Sequence, residues 1–177
     1  MMIKKGKFFN ILLLLIIVML SVTAYRGKPA ILIEAEDMEL SGGYQVEDEG
    51  HIYGVKNIRI WPFLPEAEPG YARYTFNGKE GFYDILIHYY DENDAVCTFA
   101  FYINDKELER WKPDKDLGDK HPVEKTRQVR EYKTMELHKG DVLMIEGIAD
   151  VVNSSYAELC RVDRLELYFK KKLPKKK

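Results

Sequence analysis

Glu34 and Glu36 stand two apart in Ile31-Leu32-Ile33-Glu34-Ala35-Glu36-Asp37, a spacing that sets both carboxylates on one face of a β-strand. Like charges side by side repel, and a hard cation with an appetite for oxygen, such as Ca²⁺, relieves the repulsion. Near the other end, Asp163 interrupts a packing-type run, Cys160-Arg161-Val162-Asp163-Arg164-Leu165-Glu166-Leu167. If the first and last strands are neighbours, Glu34, Glu36 and Asp163 converge, and backbone carbonyls complete a calcium site. The competing reading is a set of exposed or arginine-paired acids. Aromatic residues beside turns (Tyr53, Trp61, Tyr71, Trp111, Tyr132 and Tyr156) form the second candidate group. Sugar rings offer C–H faces to aromatic planes and hydroxyls to a few aimed polar groups, so this type of residue suits a glycan site. Packing within a core or sheet is the alternative for each of them.

Catalytic patterns are missing. There is no GxSxG, and His51, His88, His121 and His138 lie scattered without a partner spacing. The acid runs Glu47-Asp48-Glu49 and Asp91-Glu92-Asn93-Asp94 read as exposed loop surface. Cys97 and Cys160 have no CxxC or Cys/His zinc spacing; an exported chain can join them, and two buried thiols are the alternative. The chain is expected not to be an enzyme.

These side chains must be positioned by strands. Residues 31–36, 57–61, 71–76, 82–90 (FYDILIHYY), 98–103 (TFAFYI), 141–148 and 158–169 carry period-2 or continuous apolar patterns rich in β-branched and aromatic residues. Turn chemistry separates them at Ser41-Gly42-Gly43, Glu68-Pro69-Gly70, Asn77-Gly78, Asn104-Asp105 and Lys139-Gly140-Asp141. No segment shows a helical period, and residues 112–125 read as a long polar loop. The expectation is an all-β fold, a two-sheet antiparallel sandwich or jelly roll of about eight to ten strands.

Residues 1–24 read as a secretory leader: Lys4, Lys5 and Lys7 precede an apolar run from Ile11 to Leu20, and Ser21-Val22-Thr23-Ala24 offers a cleavage site. The run is shorter than the roughly 20 residues of a membrane span. A retained N-terminal anchor is the alternative. The sandwich then covers residues 25–169, followed by a lysine-rich tail, 170–177. Lys and Arg number 27 against 29 Asp and Glu; three lysines fall in the leader and six in the tail, so residues 25–169 hold 18 cations against 29 acids, net −11. So acidic a body excludes nucleic acid as the main partner. A secreted or periplasmic monomer with no stable membrane insertion after cleavage is expected. The tail reads as a solvated end, with contact to an anionic polymer or membrane as the other reading.

Ile33-Glu34-Ala35-Glu36-Asp37-Met38, Gly70-Tyr71-Ala72-Arg73-Tyr74, Phe82-Tyr83-Asp84-Ile85-Leu86-Ile87 and Arg161-Val162-Asp163-Arg164-Leu165, in that order, resemble the carbohydrate-binding modules of families 6 and 35 over nearly all of residues 31–169. The resemblance implies a galactose-binding-like β-jelly-roll and a structural calcium held at Glu34, Glu36 and Asp163. It also implies a sugar cleft at the loop end, with Tyr71 and Tyr132 as aromatic walls. The family's Asn before the closing Asp is replaced by Arg161, whose donors favour a carboxylate, so an acidic carbohydrate is the expected variant of the ligand. The function that follows is a secreted, non-catalytic carbohydrate-binding module. The rivals are a structural or protein-interaction sandwich that has lost sugar binding, and a small polysaccharide-degrading enzyme.

Overall fold

The computed structural model describes residues 27–48, 54, 56–60, 68–93, 96–153 and 156–174, with the backbone alone described at 150–153 and 156–158. The leader, His51, Tyr53, Trp61, the Tyr156 side chain and the last three lysines lie outside the described residues. Among the described residues thirteen strands run in chain order: β1 Ile31–Glu34, β2 Glu39–Gly42, β3 Tyr44–Asp48, β4 Lys56–Ile60, β5 Gly70–Thr75, β6 Gly81–Tyr90, β7 Thr98–Ile103, β8 Lys106–Trp111, β9 Arg127–Leu137, β10 Val142–Ile148, β11 Asp150–Asn153, β12 Tyr156–Glu158 and β13 Val162–Lys171. One sheet has the order β3-β4-β13-β6-β9, with β1 paired to β13 beside β4; the other has the order β2-β5-β10-β7-β8; β11 and β12 form a separate ribbon. Every pairing is antiparallel. The expected all-β sandwich is what the chain forms.

Alternation explains the sandwich. On β6, Tyr83, Ile85, Ile87 and Tyr89 point inward and join Ile33, Ile58, Ile60, Leu165 and Leu167 from the same sheet. Ala72, Phe99, Phe101, Leu143 and Ile145 of the facing sheet complete one core. The first and last strands are neighbours, as expected: Glu34 lies opposite Arg164 and Ile31 opposite Leu167.

Two local expectations are overturned. Glu34 and Glu36 do not share a strand face: β1 ends at Glu34, and a single 3-10 turn, Ala35–Asp37, closes with Met38 N donating to Ala35 O. The turn buries Ala35 completely and carries the chain from the first sheet to β2 of the second. Tyr132, placed by the family pattern in a loop, instead sits in the middle of β9, opposite Ile85. β8 and β9 escape the period-2 reading because they form the open side of the sandwich. There the closing contact is charged: Arg130 donates to Glu109 and lies 5.5 Å from the centre of the Trp111 ring.

Candidate functional site

Three groups of polar residues stand out. The first is the acidic corner. β1, the 3-10 turn and β13 bring Glu34, Glu36 and Asp163 within electrostatic reach of one another. Burial, then the charges of Asp163 and Glu36, raise the Glu34 carboxyl above its ordinary value. Oε2 of Glu36 is buried and makes no hydrogen bond, while its Oε1 lies 3.8 Å from Lys56 Nζ. Asp163 is already engaged: its Oδ2 accepts from Arg164 Nη1 at 2.6 Å and stands 3.6 Å from Arg127 Nη1. Among the described residues, no group of three or more His, Cys, Asp or Glu side chains is arranged to hold a metal ion. Glu34 and the open oxygen of Glu36 suit a hard cation, while Oδ2 of Asp163 is engaged by Arg164.

The second group contains Arg161, and its expected role does not survive. Arg161 is 6% exposed, and its partners Glu47 and Glu92 are 4% and 3% exposed. Nε donates to Glu47 at 2.6 Å, Nη2 to the other oxygen of Glu47 at 3.1 Å, and Nη1 to Glu92 at 2.5 Å. Arg59 forms a second ion pair with Glu47. Burial alone would lift the Glu47 carboxyl, but the Arg161 hydrogen bond and the charges of Arg161 and Arg59 hold it below its ordinary value. A guanidinium engaged by two carboxylates inside the fold is no floor for a sugar cleft, and it removes the reason for expecting an acidic ligand there.

The two expected walls of that cleft are also apart. Tyr132 is in the six-stranded sheet and packs inward, its ring centre 4.8 Å from that of Phe101. Burial lifts its phenol to about 12. Tyr71 belongs to the other sheet, alternates with core-facing Ala72, and so faces away from the core. A ring in the interior and a ring on an outer surface cannot clasp one ligand.

The third group surrounds Tyr71 and was missed in the sequence. Register places Tyr71 beside Ser41 and Glu146, Glu146 beside Ala100, and Met144 between Arg73 and Tyr102 on the outer surface of the five-stranded sheet. Arg73 lies 5.1 Å from the Tyr71 ring centre and donates to Ser41 Oγ at 2.7 Å. Glu146 is 8% exposed although it stands on an outer face. It accepts from the Tyr102 hydroxyl and from Arg110 Nη2, each at 2.7 Å. Arg110 also bonds Glu107, which ties the carboxylate to the sheet edge. The result is an apolar floor of Ala100 and Met144, a fixed carboxylate, and a tyrosine to either side. The only available signal was Glu146 itself, the sole charge within the apolar run Val142–Ile148.

Cys97 and Cys160 are both buried in the main core, with Cys160 Sγ 3.8 Å from the carbonyl of Thr98. No helix among the described residues is long and apolar enough to cross a membrane.

No family model matches the chain. It is 29% identical over 125 residues to "Probable alpha-glucuronidase A" of Aspergillus clavatus, which covers 67% of this chain and 14% of that protein, so it spans a small part of the curated relatives it matches. Among solved structures, a family 35 carbohydrate-binding module from Clostridium thermocellum superimposes with a TM-score of 0.56 at 16% identity, covering 81% of this chain and all of the module. A family 36 carbohydrate-binding module in complex with calcium and xylotriose superimposes with a TM-score of 0.50 at 14% identity, covering 77% of this chain and 98% of the module. The chain therefore has the jelly-roll β-sandwich fold of carbohydrate-binding modules of families 35 and 36.

Proposed function

We propose that the chain is an exported, non-catalytic carbohydrate-binding module whose ligand face is the outer surface of the five-stranded sheet around Tyr71, Tyr102 and Glu146. The observation that carries this reading is the buried Glu146 carboxylate, held by Tyr102 and Arg110 on an outer face whose floor is apolar and whose sides are tyrosines. A fixed acceptor suits sugar hydroxyls, and a tyrosine face suits a pyranose ring. Arg73, which makes no ion pair among the described residues, adds donors that serve a neutral or an acidic sugar. The fold shared with modules of families 35 and 36 supports sugar binding as the class of function.

The reading includes a structural calcium at the acidic corner, with Glu34 and Glu36 as ligands and Asp163 as the third acid. Its support is the buried, unbonded oxygen of Glu36 and the raised Glu34 carboxyl, lifted by burial and then by the charges of Asp163 and Glu36. Residues 1–24 would direct export to a secreted or periplasmic location.

The test is titration of the protein with neutral and uronic-acid oligosaccharides, alongside Tyr71→Ala and Glu146→Gln. Each substitution is expected to weaken binding by about tenfold or more, the cost of one lost directional contact. Tyr71→Ala should leave the melting temperature nearly unchanged, since its ring is outside the core. Glycan binding that survives both substitutions would move the site elsewhere, and no binding to any glycan would leave the rival of a structural sandwich.

A further inference from the structure

The end of the sandwich opposite the long loop gathers more cations than acids: Lys28, Lys79, Lys139, Lys170, Lys171 and Lys172 against Glu80, Asp84, Glu136 and Asp141. β6 starts there and β13 ends there, with Lys171 opposite Phe82. Lys79, Lys139, Lys171 and Lys172 are exposed at this end, and Lys28 joins them because β1 begins beside Leu167. None of the five makes an ion pair among the described residues. Of the nearby acids, Asp84 pairs with Lys170 at 3.1 Å, Glu136 lies 3.0 Å from His138, an imidazole charged only when protonated, and Asp141 accepts from the His138 amide and from Asn104. Glu80 stands 3.8 Å from His138. Two of the lysines are set by aromatic rings instead of carboxylates: Lys79 Nζ is 4.3 Å from the centre of Phe169, and Lys171 Nζ is 4.9 Å from that of Phe82. An open cavity of about 690 Å³ lies between Lys79, Glu80, His138, Lys172, Leu173 and Pro174.

Two further facts concern what this end faces. The chain enters the fold here: Ile31 touches the Gly78 turn next to Lys79. Only Ser21 to Arg26 separate Gly27 from the apolar run Ile11–Leu20. At the far end of β6 the chain passes into Asp91 and Glu92 and faces loop 112–125, in which four acids are balanced by four lysines. The ten residues of β6 separate the two ends by about 30 Å, several times the Debye length of about 8 Å in physiological salt. A negative surface approaching the lysine end therefore meets its excess of cations and is screened from the charges at the far end.

We propose that this lysine end is a contact surface for anionic phospholipid headgroups, which seats the sandwich on a membrane with the long loop pointing away. The apolar run decides for lipid over a soluble polyanion: in the full chain that retains it, the described fold begins at Gly27, at the lysine end, so this is the surface nearest the anchor in sequence. Cationic side chains at an anionic surface add affinity of about fivefold each.

Flotation of the full chain with vesicles tests this, comparing phosphatidylcholine alone with equal parts phosphatidylcholine and phosphatidylglycerol. The full chain is expected to favour the anionic vesicles, and the preference should collapse as salt is raised. Lys79→Glu/Lys171→Glu/Lys172→Glu should cut partitioning by about 100-fold, three times the single-residue factor compounded. The loop triple Lys112→Glu/Lys120→Glu/Lys125→Glu should not. Equal flotation with both vesicle types would assign all binding to the apolar run and overturn the proposal. So would a full preference retained by the first triple variant. Retention on immobilised polygalacturonate without any preference for anionic vesicles would overturn it in favour of a polysaccharide partner. If the first triple variant fails to fold, Lys172→Glu alone, at an exposed position just past β13, is expected to cut partitioning by about fivefold, and an unchanged preference overturns the proposal.

Discussion

Replacing Arg161 with methionine keeps much of the side-chain volume and removes only the guanidinium. Glu47 and Glu92 then stay almost fully buried with their main counter-charge gone. Breaking a buried ion pair by removing one partner costs about 3–5 kcal/mol, because an uncompensated charge is left in a poor solvent. Arg59 still reaches Glu47, which argues for the lower bound, about 3 kcal/mol. For a domain of this size that corresponds to a fall in melting temperature of about 6–12 °C. The pH dependence has a definite sign. In the unaltered protein the folded state holds Glu47 below its unfolded value, so the stability it contributes is present above that value and is lost as pH falls through the lowered one. Without Arg161 the buried carboxylates gain protons more readily when folded than when unfolded, and the deficit of the variant shrinks as pH drops. Urea denaturation at about pH 8 and about pH 5 measures both effects, with the larger deficit expected at the higher pH. A variant within about 0.5 kcal/mol of the parent at both pH values, but no longer binding glycans, would refute the reasoning and return Arg161 to a ligand site.

Removing divalent metal with a chelator is expected to lower the melting temperature by about 5–10 °C at calcium a hundredfold above its dissociation constant, a linkage of about 2.7 kcal/mol. Asp163→Ala should abolish the difference, and identical melting with and without chelator would remove the calcium. Tyr132→Ala should cost about 3 kcal/mol in urea denaturation, as its ring packs on Phe101 in the interior, whereas Tyr71→Ala should cost under about 1 kcal/mol.

Much of the fold was legible because the signals were local. FYDILIHYY at 82–90 reads as a strand, since alternation and β-branching act on nearest neighbours, and it became an interior strand of its sheet, between β13 and β9. The turns at Asn77-Gly78, Asn104-Asp105 and Lys139-Gly140 fell where glycine and asparagine chemistry put them; Asn104 and Asp105 both take positive φ. β9 was not legible. Its inward face carries Arg130 and Tyr132 at the open side of the sandwich, where an ion pair to Glu109 replaces apolar packing, so the alternation that marks a strand is written in charges.

The sequence by itself determined the class of fold and pointed to neighbouring first and last strands, because both follow from periodicity and chain order, whereas the strand-face reading of Glu34 and Glu36 gave way to a 3-10 turn. Only the tertiary structure decided what the polar side chains do. Arg161 reads as a ligand-binding donor until Glu47 and Glu92, 114 and 69 residues earlier in the chain, close on it. Tyr71 and Tyr132 read alike as turn-side aromatics, yet one faces outward and the other inward. A strand has two faces, and a shift of one position exchanges them, so the choice belongs to the register between strands distant in the chain. Glu146 is the reverse case. Its charge in an apolar run looks like a misfit until Tyr102 and Arg110 of neighbouring strands supply the hydrogen bonds that let a carboxylate sit buried on an outer sheet face.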